Sequence, residues 1–394
     1  MATVVVVLAV FVFVYSVVVP LASLANTKVA YRRRKTRAYA GDPRFRVGVF
    51  VPCQDANDHL EDNLRALASQ DYPAYTVTFV TDTNSDPAIP IIRSVVKDHA
   101  CARHMVAGIA DTLCSQQNHV QAMSMSSDME SEVLVKCDSD MRPAPGWLRD
   151  FVRPYNDPRI AATTSHHWIS PPKPGFVNGC YTIFSGCLTA LMGLPGLPWL
   201  WGGCFGIRRS VFHAIDVPGL WRVTGTDDST LRNLLVSSGN RVVFVPDCVA
   251  PTHETHENLG VYIRWLSRQA YHGKIYVTQY WLSTLLTETV ATLAVVAAVV
   301  ALVADAVTGR FDAAGIAALT IILSTMASGP LVKLSQPGIR DIPLVWWAGL
   351  MAPNHVLACY GIWRTVFMRE LSWRGNVYRF NRDGTVSQRV REKA

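Results

Sequence analysis

The stretch Val133-Leu-Val-Lys-Cys-Asp-Ser-Asp-Met141 decides how this chain is read. An apolar run, Val133, Leu134 and Val135, is followed by two carboxylates one residue apart, Asp138 and Asp140. A short buried strand delivering charge at its C-terminal edge has this pattern, and open α/β sheets bind ligands at that edge. Two carboxylates held there suit a hard divalent cation, with a phosphorylated ligand completing its coordination. Standing alone, Asp-x-Asp also describes a solvated turn before the Pro-rich loop at residues 142–147, so the rest of the chain must choose.

Upstream, residues 46–51 (Arg-Val-Gly-Val-Phe-Val) predict a strand followed by Pro52 and a polar loop. Leu60, Leu64, Leu67 and Ala68 recur at helical spacing, and Asp71-Tyr-Pro73 stops that helix. A strand over residues 75–80 ends at Thr81-Asp82, and Asp86-Pro-Ala-Ile-Pro90 opens a helix through residue 96. A strand at 105–109 and a helix near 117–127 lead to the Val133 strand. This alternation predicts an α/β fold with a parallel, doubly wound sheet. Asp82 then falls at the same sheet edge as Asp138, one strand–helix–strand unit earlier. A carboxylate there either holds the ribose or base of a nucleotide or caps a helix.

Downstream, residues 160–200 are rich in Pro, Gly and aromatics (Trp168, Phe176, Tyr181, Phe184, Trp199, Trp201), which suits either an acceptor surface or a packed irregular segment. Gly202-Gly-Cys-Phe-Gly206 is a place for close backbone approach to a ligand, and a helix is expected to begin at 207–212. Thr224-Gly-Thr-Asp-Asp-Ser-Thr230 caps a helix continued by Leu231, Leu234 and Leu235, and a carboxylate on such a rigid start is also well placed as a general base. Residues 241–246 predict a further strand. His253-Glu-Thr-His256 lacks the His-Glu-x-x-His spacing of a zinc site.

Composition sets the surroundings. Of 394 residues, 49% are hydrophobic and 17% charged, whereas a soluble domain carries about a quarter charged. Part of the chain is therefore expected in lipid. The net charge of +7 gathers beside apolar runs: Arg32-Arg33-Arg34-Lys35 after the first, and Arg364, Arg369, Arg374, Arg379 and Arg382 after the last. That distribution favours a membrane surface over nucleic acid. Nine scattered cysteines without Cys-x-x-Cys suggest reduced thiols in a cytosol-facing domain.

Residues 4–25 carry no charged side chain and are long enough to cross a bilayer. With the basic cluster after them, they are expected to be a retained anchor with the following domain in the cytosol. Residues 259–278 mix Val261, Ile263, Trp265, Leu266 and Tyr271 with Arg264, Arg268 and Lys274, the composition of an interfacial helix with basic groups toward phosphates. Residues 281–304 cross with one acid, Glu288, expected to face protein or headgroups. Further apolar runs follow at 313–332 and 342–363. Four crossings would put the Arg-rich end outside, against the positive-inside rule. One run is therefore expected to bend back or lie in the interface, and 342–363, interrupted by Pro343, Pro353, Asn354 and His355, is the candidate.

Taken in order, these pieces resemble the ceramide glucosyltransferases and their bacterial relatives, within the inverting GT-A glycosyltransferases of families 2 and 21. The resemblance runs from about residue 47 to 379. It rests on Gln70-Asp-Tyr-Pro-Ala-Tyr75, Asp86-Pro-Ala-Ile89, Cys137-Asp-Ser139, Asp227-Asp228, Ile263-Arg-Trp265 and Ser372-Trp-Arg-Gly-Asn-Val-Tyr-Arg379. It implies a GT-A catalytic domain, Rossmann-like with a mostly parallel sheet, plus transmembrane and interfacial helices. The implied segments are an anchor at 1–30, the catalytic domain at 45–258, an interfacial helix at 259–280, membrane helices at 281–363 and a basic cytosolic tail at 364–394. Asp82 would contact the nucleotide. Asp138 and Asp140 would hold a divalent cation, Mg2+ or Mn2+, on the diphosphate of the sugar nucleotide. Asp228 would be the general base, and Arg264 and Trp265 would close the site near the diphosphate and the lipid. The implied partners are a UDP-sugar, a membrane lipid acceptor and the bilayer, with no nucleic acid, and the implied reaction adds one hexose to a ceramide-like lipid hydroxyl. One base and no carboxylate nucleophile predicts inversion at the anomeric carbon.

Two departures stand out. Val261 occupies the position where the family signature has Gln or Arg, and Gln117, Asn118 and His119 stand where relatives carry a Lys. Rival readings are a processive polysaccharide synthase of the cellulose or hyaluronan type, a hopanoid or polyprenyl-phosphate glycosyltransferase, and a membrane scaffold with a degenerate transferase domain.

Overall fold

The computed structural model describes the chain except residues 1, 36–38, 172–174, 193, 195–197, 257, 335–341 and 392–394. The chain forms two compact units, entered in turn. One comprises residues 1–29, 169–195 and 254–368, and the other residues 30–168, 196–253 and 369–394.

The second unit is α/β. Its main sheet uses Val47–Pro52 (β1), Tyr75–Thr81 (β2), Ala102–Val106 (β3), Val133–Cys137 (β4), Ile160–Thr164 (β5), Cys204–Arg208 (β7) and Arg241–Phe244 (β8), in the order β3-β2-β1-β4-β7-β5-β8. Two short strands, His167–Ile169 (β6) and Ala250–Thr252 (β9), pair separately. Strands β3, β2, β1 and β4 run parallel, β7 is antiparallel to both β4 and β5, and β8 is parallel to β5. The expected mostly parallel α/β sheet is therefore present.

Strands β1 and β4 are buried on both faces, which is why they read as nearly continuous apolar runs. Val49, Val51, Val133 and Val135 pack on one side with Leu60, Leu64, Leu67, Ile92 and Val95 of two helices. Leu134, Phe205 and Ile207 pack on the other with Met125, Trp221 and Leu231. The helix Gln116–Ser127 starts under a side-chain cap, Ser115 Oγ accepting from Asn118 N.

The sequence-predicted strand at 105–109 lies three residues earlier. As the sheet's edge, β3 tolerates Arg103 and His104, which weaken its apolar signal. The Gly-rich stretch after residue 202 holds an antiparallel strand in mid-sheet, with the helix delayed to Arg209–Ala214. At Gly206 a Cβ would come within 2.9 Å of Thr163 and Tyr155 oxygens, so this glycine serves strand packing.

After residue 368 the chain rejoins this unit as an antiparallel sheet of Leu371–Trp373 (β10), Asn376–Phe380 (β11) and Val386–Arg391 (β12). Trp373 pairs with Asn376 across a two-residue turn whose residues, Arg374 and Gly375, have φ of 48° and 68°. Two consecutive positive φ values are the type I′ geometry that matches strand twist. Val386 N donates to Val223 O at 2.8 Å, and the Arg389 guanidinium donates to the carbonyls of Ala110 and Cys114.

The first unit is helical. Among the described residues, three helical stretches, Val7–Lys28, Thr278–Thr308 and Ala313–Leu334, are long and apolar enough to cross a membrane. The segment at 160–200 contains an unforeseen helix, Phe176–Met192, which is charge-free and belongs to this unit. Residues 342–363 do not bend back. Helix Leu344–Phe367 runs unbroken with Pro353 inside it, a residue tolerated where neighbouring helices pack around it. Asn354 and His355 are buried: Tyr262 Oη donates to Asn354 Oδ1 at 3.2 Å, and Thr292 Oγ1 donates to the His355 carbonyl at 3.2 Å. Glu288 faces protein, accepting from Tyr15 Oη at 2.9 Å and pairing with His355 Nδ1 at 2.7 Å. On helix Leu259–Tyr276, Lys274 does not point to phosphates as expected. Its ammonium caps the carbonyls of Thr365, Val366 and Met368 at the end of helix Leu344–Phe367.

Candidate active site

Strand β4 carries the site. Its odd residues Val133, Val135 and Cys137 belong to one core and Leu134 to the other. Lys136 therefore enters the second face, in register with Phe50 and Phe205. A fully buried ammonium needs partners. Its Nζ donates to Asp138 and to the carbonyl of Gly202, and lies 3.9 Å from Asp227 Oδ2. Burial alone would discharge this lysine, but the carboxylates of Asp138 and Asp227 outweigh it and hold its pKa above the ordinary lysine range.

Asp138 follows directly, its side chain 36% exposed, and its N–H donates to Gly203 O at 2.8 Å. Asp140, half-buried, sits two residues on in the same turn. Asp227 is buried. Gln121 Nε2 donates to it at 2.6 Å and Gln117 Nε2 at 3.4 Å. Burial pushes its pKa up to about 6, Asp228 and Asp138 add to the rise, and Lys136 and Gln121 oppose it. Asp228 begins helix Asp228–Ser237, where the helix dipole favours a carboxylate. It accepts from Gly202 N at 3.0 Å, from Thr226 Oγ1 at 2.9 Å and from Ser229 N.

Gly202-Gly203 thus links the acids: its backbone takes Lys136 and Asp138 on carbonyls and gives an N–H to Asp228. A Cβ at Gly202 would stand 2.9 Å from Asp227 Oδ1 and 3.1 Å from Asp228 Oδ2. The close backbone approach read from this glycine pair is an approach to carboxylates.

Asp82 lies just beyond β2, half-buried, in a cleft of about 340 Å³ including its open mouth. The lining includes Cys53, Gln54, Gln116, Gln117, Arg374 and Asn376. Burial raises the Asp82 pKa, while Gln116 and the charge of Arg374 draw it down. The order β2-β1-β4 puts Asp82 and Asp138 on one sheet edge, two strand spacings or about 10 Å apart.

Arg264 and Trp265 belong to the helical unit, on Leu259–Tyr276. The Trp265 ring lies 4.7 Å from Tyr181 and 5.7 Å from both Phe184 and His256, while Arg264 is exposed. Val261 donates its N–H to the capping Asn258 Oδ1 at 3.0 Å and brings no polar side chain. His253 and His256 fall in different units.

Sequence reading missed Lys136 and the glutamines. The signal was present: a lysine inside an apolar strand run requires a buried counter-charge. Gln117 and Asn118, noted only as departures, hold the acidic turn, Asn118 Nδ2 donating to Thr224 O at 3.0 Å and Thr226 O at 3.2 Å.

The mostly parallel α/β sheet that carries these acids has the GT-A glycosyltransferase fold. The mannosyltransferase PcManGT from Pyrobaculum calidifontis, solved with GDP-Man and Mn2+, is similar over 92% of this chain and 99% of its own, at TM-score 0.55 and 18% identity. A match to glucosyl-3-phosphoglycerate synthase from Mycobacterium tuberculosis covers 58% of this chain and 78% of the other, at TM-score 0.39 and 16% identity. No curated protein is significantly similar in sequence. The model of glycosyl transferase family 21 matches residues 8–386, and the chain belongs to that family.

Proposed function

We propose that this protein is a membrane-bound inverting glycosyltransferase that moves one sugar from a nucleotide sugar, a UDP-hexose such as UDP-glucose, to the hydroxyl of a ceramide-like membrane lipid. The observation that carries the reading is the convergence of Lys136, Asp138, Asp227 and Asp228 around Gly202-Gly203 at the sheet edge of a family 21 chain. The apolar helices support a lipid acceptor, and the basic residues flanking them support a catalytic unit facing the cytosol.

Asp228 is the general base: two backbone N–H groups and the Thr226 hydroxyl fix its carboxylate, ready to take the proton of the lipid hydroxyl as that oxygen attacks the anomeric carbon. Asp82 holds the nucleoside. A divalent cation, Mg2+ or Mn2+, fits Asp138 and Asp140 on their chemistry, two hard carboxylates of which Asp138 is half open. Among the described residues no three His, Cys, Asp or Glu side chains form a metal-holding group, so phosphate oxygens of the sugar nucleotide would complete the shell. When bound, the cation neutralises charge developing on the leaving diphosphate. Lys136 holds the Asp138 side chain in place. Arg264 and Trp265 keep the roles the resemblance implies, toward diphosphate and lipid.

Membranes containing the protein, incubated with a panel of UDP-sugars and analysed by mass spectrometry, test this. A lipid carrying a single hexose is expected. A polymer overturns single addition, and no transfer from any UDP-sugar overturns the choice of sugar nucleotide.

A further inference from the structure

The C-terminal hairpin brings an arginine to the rim of the Asp82 cleft. Arg374 and Asn376 line it although the 115-residue stretch 254–368 separates them from the rest of the α/β unit. The hairpin is held in place: β12 is hydrogen-bonded to Val223, Arg389 ties it to the carbonyls of Ala110 and Cys114, and Tyr378 is buried. Arg374 occupies the first central position of the type I′ turn at φ 48°, where Asn, Asp or Gly is the local preference. Arg374 is exposed, its guanidinium carried over the Trp373 ring at 5.6 Å on the rim of the cleft, so an arginine at a position that prefers other residues holds a positive charge where a ligand entering beside Asp82 would meet it.

The cleft also tells which part of a sugar nucleotide Arg374 meets. Asp138 marks the diphosphate end, and Asp82 stands about 10 Å away along the sheet edge, a nucleoside's reach. Arg374 is on the Asp82 side, close enough for its charge to act on that carboxyl. We propose, resting on the sugar-nucleotide reading above, that Arg374 is a specificity residue that donates to a nucleobase carbonyl while Asp82 accepts from the neighbouring ring N–H. Together they read the C(=O)–N–H edge shared by uracil and guanine. Cytosine and adenine present an amino group and a bare ring nitrogen there. The amino group would face a guanidinium that only donates, and the bare nitrogen a carboxylate that only accepts. Gln54, Gln117 and Asn376 also line the cleft.

The test uses the full chain in lipid nanodiscs, with Kd measured by calorimetry for UDP, GDP, CDP and ADP. The intact protein is expected to bind UDP or GDP at least about tenfold more tightly than CDP and ADP. Arg374→Asn suits the turn better than arginine and keeps the fold, so its unfolding midpoint should not drop. It should weaken the preferred nucleotide by about tenfold and narrow the gap to CDP and ADP, as expected for one lost charge-assisted hydrogen bond. Arg374→Ala should show the same loss. Unchanged affinity and unchanged base preference in Arg374→Asn would overturn the assignment while leaving the sugar-nucleotide reading intact. An intact protein that binds none of the four nucleotides would remove both, and one that binds all four alike would remove the base-reading role.

Discussion

Both units bury ionisable groups, and they balance them differently. In the helical unit Glu288 has each carboxylate oxygen taken, one by Tyr15 and the other by His355, and all three belong to apolar helices. The trio is closed on itself and pins three helical segments together. In the α/β unit the Lys136 ammonium pairs with Asp138 and Asp227, and Asp228 joins them through the Gly202 backbone. Acids outnumber the base, and Asp138 remains 36% exposed. A closed set of partners marks a structural lock, and a surplus of carboxylates facing an opening marks a place that recruits positive charge. Buried charge by itself therefore does not identify a site. The local count of partners does.

Substitutions can break this contrast. The largest effect is expected from Asp228→Asn, which keeps the helix start but cannot take a proton: turnover should fall by about 10²- to 10⁴-fold with an unchanged unfolding midpoint. Transfer assays beside thermal unfolding check this, and undiminished turnover would remove the base assignment. Lys136→Met leaves neighbouring carboxylates without their counter-ion. It should cost about 3–5 kcal/mol of stability, measured by denaturant unfolding, together with activity. Glu288→Ala should cost about 2–3 kcal/mol by stranding the Tyr15 hydroxyl and His355. Its remaining folded fraction should turn over sugar nucleotide at the normal rate, and a folded but inactive variant would erase the distinction between lock and site.

The smallest effect concerns pH. Burial, with a lesser contribution from Arg268, pushes His256 down to about 4. The fold thus favours the neutral ring. That contribution is complete above the unfolded-state value of about 6.5 and is lost as pH falls through about 4. The unfolding midpoint should drop over this window in the native protein and less in His256→Phe, which keeps the aromatic packing against Tyr181 at 4.2 Å. Parallel pH curves for the two proteins would refute it.

Much of this architecture was legible. Strands β1, β2 and β4 are buried by sheet neighbours on both sides, so their apolar runs are unmistakable, and Asp82 and Asp138 follow from where those runs stop. Asp228 was legible as a helix start. Other features depended on distant partners. Strand β3 is an edge and carries Arg103 and His104. Strand β7 hid behind glycines whose purpose is contact with Asp227, Asp228, Thr163 and Tyr155. Helix Phe176–Met192 followed Pro-rich sequence and has no charges to give it a polar face. Pro353 looked like a break because a lone sequence does not show the helices packed around it. Lys136 announced a need for counter-charge without naming Asp227, ninety-one positions away, and nothing local connected Arg374 to Asp82.

The chain leaves the α/β unit for residues 254–368 and returns only for its last strands. During synthesis, Asp82, Asp138 and Asp228 emerge long before Arg374 and Asn376, with every later apolar helix made in between. The cleft beside Asp82 gains this wall only after the helical stretch. A polypeptide interrupted anywhere in its helical stretch would carry Asp82, Asp138 and Asp228 and still lack that wall, so a finished cleft reports that the helical stretch has been made.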